Sequence, residues 1–250
     1  MVAPHLTRAL PLIGPLLLPL AAASALQALR LWRAQRDGRA IAARTQPYEQ
    51  RHPQPRRRVL LVGDSTGLGV GAGPELSIAG RLARDWPDAE VHNACRSGAS
   101  LADVESQLPP DGPPYDLLLL HAGCNDILRG HSLSRIEAQA CGLLPRLVRR
   151  ARQTVWLGPP NLGLAPVFVP PFSWWLSSRT QRACERFRRS AQCFGVRYLN
   201  FYAGRRDDIF SADPQRYFAR DRIHPSAATY GHCYEQLKRS LVDDLGRSRP

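Results

Sequence analysis

Four short stretches carry side chains able to do chemistry, and each follows an apolar run or a turn. Gly63-Asp64-Ser65-Thr66 follows Val59–Val62, and Gly98 sits in the glycine- and serine-containing stretch after Asn93. Asn125 lies in Gly123-Cys124-Asn125-Asp126, and Asp221 and His224 stand three apart just before Pro225. A hydroxyl, an imidazole and a carboxylate are the parts of an acyl-transfer site: Ser65 as nucleophile, His224 to take its proton, Asp221 to hold the imidazole. Such a site also needs donors aimed at the developing oxyanion. The backbone N–H groups of Ser65 and Gly98 and the amide of Asn125 are the candidates, and a glycine at 98 lets a backbone N–H approach closely.

The glycines after Ser65 invite phosphate readings, and the residues argue against them. A Walker loop needs a lysine, and the chain's one lysine is Lys238. A dinucleotide fingerprint can be laid on Gly67, Gly69 and Ala72, but the next apolar run ends in His92-Asn93 where a ribose-binding acid is wanted. No metal is expected, since no histidine or carboxylate cluster has ligand spacing, and no cofactor is implied. His92, His121 and His232 are rival bases; His121 lies inside an apolar run and reads as a core residue. Asp64 reads as a turn residue and Asp126 as structural.

The elements that must position these groups follow from periodicity. Residues 59–63, 89–94, 116–123, 154–158 and 196–200 read as strands, and residues 73–86, 136–152, 180–195 and 228–245 as amphipathic helices. Continuous apolar strands, each followed by a helix, predict a mostly parallel sheet covered on both faces, with chemistry beyond the carboxyl ends of its strands.

The order of Gly-Asp-Ser-Thr, a glycine block, Gly-x-Asn-Asp and Asp-x-x-His-Pro resembles the SGNH (GDSL-type) hydrolases over roughly residues 58–240. The resemblance implies an α/β fold, a flavodoxin-like three-layer α/β/α sandwich on five strands. It also implies hydrolysis of carboxylic esters, including lipid and acetyl-sugar esters. Its roles fall on Ser65, Asp221 and His224 as the catalytic set and on Ser65, Gly98 and Asn125 as the oxyanion hole. Two positions depart from the family pattern. Thr66 stands where leucine is frequent, which is expected to affect packing. Cys124 stands where glycine is common, and its Cβ can tilt Asn125 or crowd the acyl pocket; a reactive thiol is the other reading of this cysteine. Acyl transfer to a sugar or lipid hydroxyl, and a non-catalytic tethered binding domain, are the alternatives to hydrolysis.

Residues 158–180 carry five prolines with Phe168, Phe172, Trp174 and Trp175. They read as an irregular apolar loop over the nucleophile, with Phe172, Trp174 and Trp175 as substrate-binding residues and the tryptophans suited to a lipid interface. A loop packing its own aromatics onto the domain is the competing reading.

Of the net charge of +13, residues 1–58 hold +8, from ten arginines and two acids. The folded part is therefore only mildly basic, and without a reader motif nucleic acid is not an expected partner. The six cysteines are scattered and read as reduced thiols. Residues 9–29 are 21 uncharged residues, long enough for a membrane anchor. The alternatives are a signal segment cleaved near Ala21–Ala25 and a buried helix. Arginines after the run favour an anchor with the catalytic domain on the cytoplasmic side; secretion or periplasmic release after cleavage is the other outcome. The expected organisation is thus a hydrophobic segment over 1–29, a basic proline-containing linker over 30–57, and a hydrolase domain over 58–246.

Overall fold

The computed structural model describes residues 14–110 and 112–247, with side chains from residue 21 to residue 241. Five strands form the centre: β1 (Arg57–Gly63), β2 (Ala89–Asn93), β3 (Tyr115–His121), β4 (Ala151–Leu157) and β5 (Arg197–Leu199). All pair in parallel, in the order β2-β1-β3-β4-β5. That is the flavodoxin-like order, whose ligands lie outside the carboxyl ends of the strands where the strand order reverses. Here the reversal is at β1, which ends at Gly63, two residues before Ser65.

The central strands β1, β3 and β4 bury both faces over most of their length, which is why they read as apolar runs; β2 alternates buried and half-buried residues, and the edge strand β5 is half-buried throughout. Leu60, Val62, Leu118, Leu120 and Trp156 face one layer, built from α5 (Leu133–Val148), α6 (Phe172–Cys193) and a 3₁₀ segment, Leu101–Gln107. Val59, Leu61, Leu117, Leu119 and Val155 face the other, built from α3 (Ile78–Asp85) and α9 (Ala227–Arg247). Short helices α2 (Ser65–Leu68) and α4 (Cys124–Leu128) follow β1 and β3; α7 (Ile209–Ala212) and α8 (Pro214–Tyr217) precede the His224 loop.

The N-terminal segment is helical and docks on the domain. Residues 14–44 are one helix, α1 (Gly14–Arg44), so the expected boundary between hydrophobic segment and linker at 29/30 falls inside an element. Gln27, in the run expected to cross a bilayer, is buried against the domain. Its Nε2 donates to Val167 O (3.3 Å), and its Oε1 accepts from Val169 N (2.8 Å). Among the described residues no helix is long and apolar enough to cross a membrane; residues 9–13 of that run lie outside them. The arginines suggested a solvated tether, but they occupy the outer face while Ala34 and Gly38 pack inward.

Candidate active site

Ser65 sits at the turn from β1 into α2. Asp64 caps this helix: its Oδ1 accepts the Thr66 backbone N–H at 2.9 Å and also the Thr66 hydroxyl. Thr66 therefore does polar work here, beyond the packing role expected of it. The turn is held from below, because Asp64 N–H donates to His121 O (2.9 Å). Buried Gln107 clamps Gly63 from both sides, Gly63 N–H donating to its Oε1 (2.7 Å) and its Nε2 donating to Gly63 O (2.9 Å). Nothing in the local sequence around Gln107 marks it for this role.

His224 reaches the same point from a loop 159 residues later. Its Nε2 lies 3.0 Å from Ser65 Oγ, and its Nδ1 lies 2.5 Å from Asp221 Oδ2. An ionised carboxylate only accepts, so Nδ1 carries the proton and Nε2 is the acceptor facing the serine. The loop is built to do this. Asp221 Oδ1 accepts the backbone N–H groups of Ile223 (3.1 Å) and His224 (3.0 Å), with Arg222 at φ +63° making the bend. Residues 217–219 and 224–226 pair through Ala219 N–H to His224 O and Ser226 N–H to Tyr217 O. Burial pushes the Asp221 carboxyl up, but the hydrogen bonds and the charge of His224 with the two backbone N–H groups outweigh it, and the net shift is downward. Asp221 thus stays an anion behind the imidazole.

Gly98 lies in the loop after β2 and Asn125 in the first turn of α4 after β3, on either side of β1. Asn125 Nδ2 donates to Ala99 O (2.9 Å), tying the two loops together and leaving the second amide hydrogen for another acceptor. Gly98 has φ +80°, a conformation that costs most residues energy, and its carbonyl is held by Arg129 Nη2 at 2.6 Å. Buried Asp126 anchors the same junction, Oδ2 accepting Leu101 N–H (3.0 Å) and Oδ1 facing His131 Nδ1 (3.2 Å). The arrangement can place a hydroxyl, a base and backbone and amide donors around one carbonyl carbon.

Residues 61–232 match the family model for GDSL-like lipase/acylhydrolases. The chain belongs to this family. It is a hydrolase acting on ester bonds. Solved structures similar to it include an extracellular lipase from Streptomyces rimosus (19% identity, TM-score 0.60), covering 74% of this chain and 99% of the other. A phospholipase A1 from Streptomyces albidoflavus NA297 is 18% identical (TM-score 0.60; 74% and 98% covered). The psychrotrophic esterase EstA from Pseudoalteromonas sp., inhibited by monoethylphosphonate, is 16% identical (TM-score 0.57; 76% and 99% covered). No curated protein matches by sequence.

In this GDSL-like hydrolase the rival histidines sit elsewhere. His92 faces Tyr115 Oη, and His232 on α9 meets Gln236 and the edge of Phe210. His121 is buried at the end of β3, its Nδ1 without a hydrogen-bond partner, and burial lowers its pKa to about 4. Burial likewise raises Asp64 to about 6, against the hydrogen bonds of Thr66. Cys124 is buried, and its thiol is pushed well above its ordinary value by burial, which opposes the reactive-thiol reading. None of the six cysteines is paired. Among the described residues no group of three or more His, Cys, Asp or Glu is placed to hold a metal ion.

The aromatic segment differs from expectation. Helix α6 starts at Phe172, eight residues before the expected start at Thr180, so residues 172–180 are helical. Trp174 and Trp175 turn outward, 65% and 47% exposed, while Phe172 packs against the core and stacks on Trp175 (5.3 Å between centroids). None of the three lines the small cavity that Ile223 and Pro225, the chain neighbours of His224, help to wall. That cavity is walled by other residues of the same segment, Leu162, Leu164, Ala165 and Phe168, with Phe210 and Ile223 opposite.

Proposed function

We propose that the enzyme is a serine esterase that works through an acyl-enzyme on Ser65. The observation that carries this is the chain of contacts from Ser65 Oγ to His224 Nε2 (3.0 Å) and from His224 Nδ1 to Asp221 Oδ2 (2.5 Å). His224 takes the hydroxyl proton as Ser65 attacks the ester carbonyl, and Asp221 steadies the imidazolium. The oxyanion is received by the N–H groups of Ser65 and Gly98 and by Asn125 Nδ2. His224 returns its proton to the leaving alcohol, and a water activated by the same base releases the acid.

The extracellular S. rimosus relative supports export. Cleavage within the small-residue stretch 21–25 would remove the apolar run yet leave Gln27 and the docked part of α1 in place. The mass of the mature protein recovered from the medium tests this.

The deciding experiment assays the full chain on p-nitrophenyl esters of graded chain length, with Ser65→Ala beside it, and treats wild type with an alkylphosphonate ester. Turnover lost in Ser65→Ala, together with one phosphonyl group found on Ser65, is expected. Turnover that survives Ser65→Ala overturns the assignment.

A further inference from the structure

Helix α1 lies outside the family match at residues 61–232. The S. rimosus and S. albidoflavus structures are covered almost end to end yet account for only 74% of this chain. The helix is nevertheless placed against the site. Leu31 and Ala34 pack with the α5/α6 layer, and Ile41 and Ala42 with the α3/α9 layer, so α1 bridges the two layers across the sheet. Its buried positions Gln27, Ala34 and Gly38 are spaced seven and four apart and share one face.

Between the two packed ends, Gly38 meets the Asp221–His224 pair. A Cβ at Gly38 would lie 3.1 Å from Asp221 Oδ2, 3.5 Å from His224 Cε1 and 3.6 Å from His224 Nδ1. The contact to Oδ2 is tighter than an ordinary Cβ contact, so a methyl group there would make the carboxylate give by a few tenths of an ångström, while the two ring distances are van der Waals contacts. Beneath it the Asp221 side chain has no solvent exposure and that of His224 has 19%. The nearest ring atoms are Cε1, which lies between the two nitrogens, and Nδ1, which faces Asp221; Nε2, which faces Ser65 at 3.0 Å, is not among the three nearest atoms. The helix therefore backs the ring and does not stand between it and the serine.

We propose that α1 is a working part of the active site, with Gly38 a positioning residue that roofs the Asp221–His224 hydrogen bond. The proposal rests on the catalytic reading of these residues above. A water reaching Oδ2 would compete for the lone pair that holds Nδ1–H and would raise the local dielectric, weakening the bond that fixes the ring. A helix backbone in van der Waals contact offers neither competition nor room for the ring to swing. The same contact makes the site sensitive to a single methyl group, because Oδ2 is already committed to His224 at 2.5 Å and has little freedom to retreat.

The test compares Gly38→Ala with Ala40→Gly in the full chain, Ala40 being exposed two residues along the same helix. Alanine is the better helix former, so a merely structural role predicts that activity follows stability: unchanged or up in Gly38→Ala, down in Ala40→Gly. The positioning role predicts the reverse pattern. In Gly38→Ala kcat on a p-nitrophenyl ester should fall about tenfold, as a few tenths of an ångström of misplacement would produce, with KM little changed. In Ala40→Gly kcat should hold although the melting temperature drops. The far-downfield proton resonance of His224 Nδ1–H, recorded well below melting, should move or broaden in Gly38→Ala and stay in place in Ala40→Gly. A Gly38→Ala enzyme with wild-type kcat and an unmoved resonance overturns the proposal. If wild type turns over no ester, the catalytic reading fails, and the resonance alone still decides whether α1 roofs the pair.

Discussion

Replacing His121 by phenylalanine should change how stability depends on pH, because two buried groups beneath Ser65 titrate in opposite senses. His121 has its pKa lowered by burial from 6.5 to about 4. Relative to the unfolded chain its contribution is fully present above pH 6.5 and is lost as pH falls through about 4. Asp64 has its pKa raised by burial from 3.8 to about 6, partly opposed by Thr66 and His224. Its contribution is present below pH 3.8 and is lost as pH rises through about 6. Each gap corresponds to about 3 kcal/mol, at about 1.4 kcal/mol per pH unit. Between about pH 4 and 6 the unfolded chain binds the proton of His121 and the folded chain that of Asp64, so the two slopes offset each other. His121→Phe keeps a ring in the site and removes one slope. Measured against wild type by urea unfolding at half-unit steps from pH 4.5 to 7, it should gain about 1.4 kcal/mol per pH unit on acidification below 6.5. Asp64→Asn should lose by a similar slope over the same range. Unfolding curves for His121→Phe that run parallel to wild type at every pH would refute the claim that His121 is held neutral.

Three further outcomes follow from the site. Asp221→Asn should leave the fold intact but free the wrong imidazole tautomer, lowering kcat by about 10³-fold or more in steady-state assays. Asn125→Ala removes the proposed oxyanion donor and the tie to Ala99 O, and kcat should fall about 10²- to 10³-fold with a smaller change in KM. Trp174→Ala and Trp175→Ala, at exposed positions, should leave the profile of rate against p-nitrophenyl ester chain length unchanged.

Much of the architecture was legible because its signals are local. Strands buried on both faces must be apolar throughout, so β1, β3 and β4 announce themselves as runs, while β2 shows the alternation of a strand with one half-buried face. Asp221 and His224 are three residues apart with Pro225 behind them, and their pairing is made within one loop. The order of the strand-end motifs also carried the family resemblance, and the family match covers residues 61–232. The aromatic segment was not legible in the same way. Prolines up to Pro171 suggested irregular chain, yet α6 begins directly after them, and helical phase rather than composition turned Trp174 and Trp175 to solvent.

By itself, then, the sequence determined the strands, the cores of the helices between them and the chemical groups at the strand ends, since period and turn residues act within a few positions; it did not show α1 or the first turns of α6. Only the tertiary structure decided which of those groups meet. Ser65 and His224 touch across 159 residues because β1 and the loop before α9 end on the same side of one sheet. Gln107 clamps Gly63 from 44 residues away, a contact with no local pattern to mark it. Helix α1 runs through what composition read as a tether, because a glycine and an alanine on one face let it close on the domain while its arginines stay wet. Contacts between elements depend on packing and register across the whole core, and a residue's own neighbours in the chain do not encode them.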